Sequence, residues 1–153
     1  MKYINEPDAS MILNNIWLGN KDAACDINFI TKYGISRIIN VTYDVFNKYD
    51  FINYYVYPIN NDLSHSKLFI KVMDKCSDII YDSINKNIPI YVHCKRGHHR
   101  SACVLAFFLM KYYRMSLNDA IITIKTSRYT TFRKNNHMLK TLIYLDKIKF
   151  FVH

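Results

Sequence analysis

From Ala102 to Met110 the chain reads Ala-Cys-Val-Leu-Ala-Phe-Phe-Leu-Met, without a charged or amide side chain. A helix that is apolar on nearly all sides is stable only when other elements surround it, so the segment from Ala102 to Tyr113 is expected as a buried helix. Just upstream, Ile88-Pro-Ile-Tyr-Val92 is a short apolar run rich in β-branched residues. It reads as a central strand with Pro89 near its start. A buried strand feeding a buried helix through a short loop is the feature around which the rest of the chain must be arranged.

The remaining elements alternate. Ile16-Trp17-Leu18 reads as a short strand, and Asp22 as the cap of a helix from Ala23 to Tyr33 that stops at Gly34. Arg37 to Val41 reads as a buried strand. After a polar stretch through Asp50, Tyr54 to Pro58 reads as another strand, leading into the loop Asn60-Asn61-Asp62. From Ser66 to Ile84 the residues Leu68, Phe69, Val72, Met73, Cys76, Ile79, Ile80 and Ile84 recur at helical spacing and form one core-facing stripe. Lys86-Asn87 turns the chain. Ser116-Leu-Asn-Asp119 has capping-box spacing for a further helix, and a last helix is expected from Asn136 to Phe151. The expected fold is α/β: a central, mainly parallel twisted sheet of about 4–5 strands flanked by helices, with the site at the carboxyl end of the strand leading to His93. With no repeat and no linker-like stretch, one domain over residues 1–153 is expected, its core at about 12–147.

Composition narrows the function classes. Half of the 153 residues are hydrophobic and 15% are aromatic, which excludes a disordered chain. The net charge of +9 attracts phosphorylated proteins, nucleic acid and anionic membranes about equally, and by itself does not choose among them. Met1 to Ser10 lacks a signal-peptide pattern, and no apolar stretch has membrane-spanning length. A soluble, cytoplasmic protein without stable membrane insertion is therefore expected. Of the four cysteines, Cys25, Cys76 and Cys103 fall in apolar-periodic segments, and no CxxC or Cys/His ligand spacing occurs. Neither a disulfide framework nor a metal site nor a cofactor is expected. A nucleic-acid module needs a continuous basic stripe with exposed aromatics; most tyrosines here hold core-like positions, so that reading ranks last.

Cys94 differs from the other three. In His93-Cys94-Lys95-Arg96-Gly97-His98-His99-Arg100-Ser101 a strand runs through a loop into a helix, so loop amides and the helix N-terminus converge on one point, an anion site. Gly97 permits the positive φ of a tight cradle, and Arg100 can grip two phosphate oxygens through its planar fork. The same dipoles and the arginine favour a thiolate at Cys94, which can attack phosphorus to form a phosphocysteine intermediate. Ser101 can donate to the sulfur and help it leave.

This C-x5-R pattern resembles the signature of the protein tyrosine phosphatase superfamily, and His93-Cys94 with Arg100-Ser101 is most similar to its dual-specificity branch. The resemblance extends over roughly Ile12 to Leu145. Asn15-Ile-Trp-Leu-Gly-Asn20 resembles the family's opening strand, Tyr33-Gly-Ile-Ser-Arg-Ile-Ile-Asn-Val-Thr42 its helix end and second strand, and Leu105-Ala-Phe-Phe-Leu-Met110 the helix after the loop. Pro58-Ile-Asn-Asn-Asp62 is similar to the segment that carries the general acid. The resemblance therefore implies Asp62 as proton donor to a poor leaving group, a role chemistry requires of some carboxylic acid here; Asp50 and Asp44 are rivals without a motif. His93, just before the nucleophile, reads as a residue that orients the loop through hydrogen bonds rather than as a base; the resemblance implies Asn135 as a supporting residue, with Lys134 in place of the family's proline.

The implied activity is hydrolysis of phosphotyrosine and phosphoserine or phosphothreonine in proteins. The loop departs from the family's protein-directed members at Arg96, and His98-His99 add potential positive charge. Lys95 resembles relatives that act on inositol phospholipids or phosphatidylglycerophosphate. An anionic lipid or an RNA 5′-phosphate is therefore the alternative substrate, and a non-catalytic phosphoprotein-binding module the alternative of another class. Lys95 and His98 lining a wide pocket would favour polyanions; side chains facing outward favour phosphoproteins.

Overall fold

A computed structural model describes residues 6–59, 66–133 and 137–151. Five short strands form one sheet in the order β1-β2-β5-β3-β4: β1 Ala9–Leu13, β2 Ile16–Gly19, β3 Arg37–Asn40, β4 Asn53–Val56 and β5 Ile90–His93. Trp17, Tyr91 and Ile38 stand in register across the central strands, and so do Leu18, Val92 and Ile39. Successive strand residues point to opposite faces, so the two rows serve different layers. Leu18, Ile39 and Val92 join the main core, and Ile38 and Tyr91 join a smaller one that includes Ala23, Ala24 and Ile30. A parallel sheet covered on both faces requires such apolar runs on its central strands.

The smaller core is closed by α1 Lys21–Ala24 and α2 Ile27–Lys32, where Trp17 packs against Phe29 at a ring-centroid distance of 5.3 Å. The main core is closed by α3 Ser66–Asn85, α4 Arg100–Tyr113, α5 Leu117–Ser127 and α6 His137–Lys147. Residues Ser101 to Met110 of α4 are all buried, as the apolar run required. Phe107 and Phe108, fully enclosed, each contribute about 1.5–3 kcal/mol by removal from water. The α3 stripe meets α4 through Phe69, Met73, Cys76 and Ile80.

Several elements differ from the sequence reading. The helix expected from Ala23 to Tyr33 is two helices, because the Asp26 carboxylate accepts the amides of Asn28 and Phe29 and starts a new helix there. The cap of the first is Asn20, whose side chain accepts the amides of Asp22 and Ala23, and Asp22 is not a cap. Strand β1 was not foreseen; it pairs antiparallel with β2, while the other neighbours are parallel, so the sheet is mixed. Strand β4 begins at Asn53 and ends at Val56, short of Pro58, and β5 begins at Ile90 and ends at His93. Helix α4 starts at Arg100, two residues before Ala102, which brings Arg100 and Ser101 into its first turn. Helix α6 ends at Lys147, four residues before Phe151, and Lys149 beyond it adopts a left-handed φ of 53°; Asn136 lies outside the described residues. The Ser116 cap on the Asp119 amide is present at 3.1 Å.

Candidate active site

Strands β2, β5 and β3 end level with one another, Gly19 and Asn40 in register with His93, and the Cys94–His99 loop leaves from this edge. Cys94 is 3% exposed. Its Sγ receives the Gly97 amide at 3.2 Å and the Ser101 hydroxyl at 3.1 Å. Burial works to raise the thiol pKa, but the hydroxyl and amide of Ser101, the Gly97 amide and the Arg100 charge together outweigh it. The net effect holds Cys94 below its ordinary range. Among the described residues the other buried thiols have no such donors: burial alone pushes Cys76 up to about 12. Burial, with the nearby charge of Cys94, pushes Cys103 higher still. The cradle thus concentrates thiolate character on one cysteine.

Gly97 has φ of 74°, and a Cβ there would lie 2.5 Å from the carbonyl carbon of Gly19. The loop is therefore seated directly on the end of β2, and that seat admits only glycine. His93 is 1% exposed, and its Nδ1 lies 3.0 Å from the Cys94 carbonyl. Since a carbonyl only accepts, Nδ1 carries the proton. Burial foremost, with the Arg100 charge, lowers the His93 pKa to about 4 despite that hydrogen bond. The His93 ring thus donates to the loop backbone at Cys94. The Arg100 guanidinium donates to the Ile59 carbonyl at 3.2 Å, tying the segment after β4 to the loop. Asp62 and Asn135 lie outside the described residues. Of the rival acids, Asp44 is beside the loop, ion-paired with Lys95 at 3.7 Å.

Lys95 and Arg96 are exposed. Burial, then the Arg128 charge, lowers the His98 pKa. A cavity of about 340 Å³ is lined by Lys95, Arg96 and His98, together with Glu6, Asn20, Lys21, Asp22, Arg128 and Thr130. Neither Cys94 nor Arg100 borders it.

Sequence reasoning missed Arg128. It follows α5, is 2% exposed, and reaches the loop from behind. Its Nε donates to the Gly97 carbonyl at 3.0 Å and its Nη2 to the Arg96 carbonyl at 3.2 Å. A single arginine at a helix end gives the same local signal whether it is solvated or buried, so spacing could not have singled it out.

The family model for the dual specificity phosphatase catalytic domain matches residues 16–148. The chain belongs to this family. It is an enzyme, a cysteine-dependent protein phosphatase. Protein 123R of Invertebrate iridescent virus 6 is 32% identical over 143 residues, covering 92% of this chain and 93% of that protein. The dual specificity protein phosphatase Mpk3 of Drosophila melanogaster is 31% identical over 142 residues, which cover 91% of this chain and 34% of Mpk3. This dual-specificity phosphatase domain thus spans nearly all of the viral relative and about a third of the fly one. The crystal structure of human DUSP28 superposes with a TM-score of 0.80 at 18% identity, over 97% of this chain and 99% of that one, which shows a shared fold.

Proposed function

We propose that this phosphatase removes phosphate from phosphotyrosine and from phosphoserine or phosphothreonine in proteins, with Cys94 as nucleophile. The observation that carries the reading is the buried sulfur of Cys94, held by the Gly97 amide and the Ser101 hydroxyl beside the Arg100 charge. The Cys94 thiolate attacks phosphorus, a sulfur–phosphorus bond forms, and the bond to the leaving oxygen breaks. Arg100 and the loop amides from Lys95 to Arg100 hold the equatorial oxygens. Asp62 gives its proton to the leaving oxygen. In the second step Asp62 takes a proton from water, which displaces the sulfur and releases inorganic phosphate. The Ser101 hydroxyl stabilises the departing thiolate. Ile59, three residues before Asp62, is hydrogen-bonded to Arg100.

Two features favour phosphoproteins over polyanionic lipids or RNA ends. Lys95 and Arg96 are exposed, and although Lys95 and His98 do line a cavity of about 340 Å³, Glu6 and Asp22 line it with them and neither Cys94 nor Arg100 borders it. A second phosphate gains little there. Among the described residues no helix is long and apolar enough to cross a membrane.

The test is phosphate release by wild type and Cys94→Ser, in EDTA, from phosphotyrosine peptide, phosphothreonine peptide, phosphoinositide and RNA 5′-triphosphate. Cys94-dependent release from both peptides is expected. Release from lipid or RNA alone moves the substrate assignment. Peptide binding without release from any of the four makes the site a recognition module.

A further inference from the structure

The phosphate cradle works only if its amides point inward, and a peptide loop has no intrinsic reason to keep them so. Its carbonyls are fixed from outside. The Lys95 carbonyl accepts the Lys21 amide at 3.1 Å, and the His98 carbonyl accepts the Phe132 amide at 3.1 Å. Between them, the Arg96 and Gly97 carbonyls both accept from the single guanidinium of Arg128. In a trans peptide the C=O and the following N–H point in opposite directions, and no described peptide bond is cis. Each carbonyl drawn outward therefore turns the next amide inward. One such pair is seen at both ends: the Arg96 carbonyl meets Arg128 while the Gly97 amide meets Cys94 Sγ.

We propose that Arg128 is a positioning residue of the active site, clamping the Arg96 and Gly97 carbonyls so that the amides of Gly97 and His98 face the sulfur and the phosphate. Its remaining donors are engaged as well. Nη1 donates to the Pro7 carbonyl at 2.6 Å and to the Ser10 hydroxyl at 3.1 Å, and Nη2 lies 3.5 Å from the Glu6 carboxylate. Glu6 is itself fixed by the amide and hydroxyl of Thr130. A buried guanidinium carries a desolvation penalty that an apolar side chain of similar size avoids. What only the planar fork supplies is two donors at fixed spacing on one rigid group, matched here to two consecutive carbonyls. The N-terminal segment at Glu6–Ser10 thereby becomes part of the support of the cradle.

The proposal rests on Cys94 as the phosphate-site nucleophile, and its test reads the thiol without needing turnover. Arg128→Met and Arg128→Lys are compared with wild type in the full chain. The measurements are iodoacetamide alkylation of Cys94 against pH, protection from alkylation by inorganic phosphate, and kcat and KM on phosphotyrosine peptide. In Arg128→Met the alkylation midpoint moves to higher pH, and phosphate protection and kcat each fall about tenfold or more, as for loss of an oxyanion donor. Lys, which reaches one carbonyl but cannot clamp two, gives intermediate values. A folded Met variant with wild-type midpoint and protection overturns the proposal. If the Met variant does not fold, wild-type midpoint and protection in the Lys variant overturn it. A midpoint that shifts in a chain releasing no phosphate sinks the phosphatase reading and leaves Arg128 its role.

Discussion

Gly97→Ala tests whether the loop is seated on β2 as tightly as its geometry requires. The left-handed φ of 74° costs an L-residue about 1–2 kcal/mol. The added Cβ also falls 2.5 Å, 2.6 Å and 2.8 Å from the backbone C, O and Cα of Gly19, atoms that cannot swing aside like a side-chain tip. Overpacking of this kind costs about 1–3 kcal/mol. Together the two effects reach about 2–5 kcal/mol, or roughly 4–20 °C in Tm for a chain of this size. The strain falls on the residue whose amide meets Cys94, so kcat/KM should drop at least as steeply as stability. Gly34→Ala is the internal control: its φ is 65° but nothing lies within 4 Å of the new Cβ. It should lose only the conformational part, about 1–2 kcal/mol, with activity intact. Thermal unfolding and peptide turnover measured on both variants decide the matter. A Gly97→Ala enzyme as stable and active as Gly34→Ala refutes the close seat.

Three further outcomes follow from the site. Ser101→Ala removes a hydrogen bond to a charged sulfur, about 1.5–3 kcal/mol. It should slow the second step enough for a burst of leaving group to precede steady turnover; a trace without a burst removes Ser101 from that step. Asp62→Asn should slow phosphothreonine peptide far more than an activated aryl phosphate, and an equal effect on both ends the assignment of the acid. His93 is neutral when folded with a pKa near 4, against 6.5 for the free residue. The unfolded chain therefore binds the extra proton first, and stability should fall by up to about 3 kcal/mol as pH drops from 6.5 to 4. His93→Asn should flatten that part of a denaturation profile, and an unchanged slope contradicts the buried neutral ring.

The loop was readable because its parts are local: a strand, a glycine, a cysteine and an arginine stand within one short segment, and the strand-loop-helix context singles out a C-x5-R spacing that is weak by itself. The buried α4 was legible for a similar reason, since apolar residues on every side leave few alternatives. Arg128 was not, because its partners Arg96 and Gly97 lie more than thirty residues away in sequence and meet it only after folding. Strand β1 escaped because an edge strand with two buried residues, Ser10 and Ile12, takes its identity from the partner it pairs with. The single helix expected over Ala23–Tyr33 failed at Asp26, where a side-chain cap competes with the backbone on nearly equal terms.

The most direct test of Cys94 as nucleophile is acid quenching during turnover of a phosphotyrosine peptide carrying radiolabelled phosphate, followed by mapping of the label on the protein. The account predicts label on the peptide containing Cys94, chased off by excess unlabelled substrate and missing from Cys94→Ser. Label on another residue, or steady phosphate release by Cys94→Ser, contradicts it.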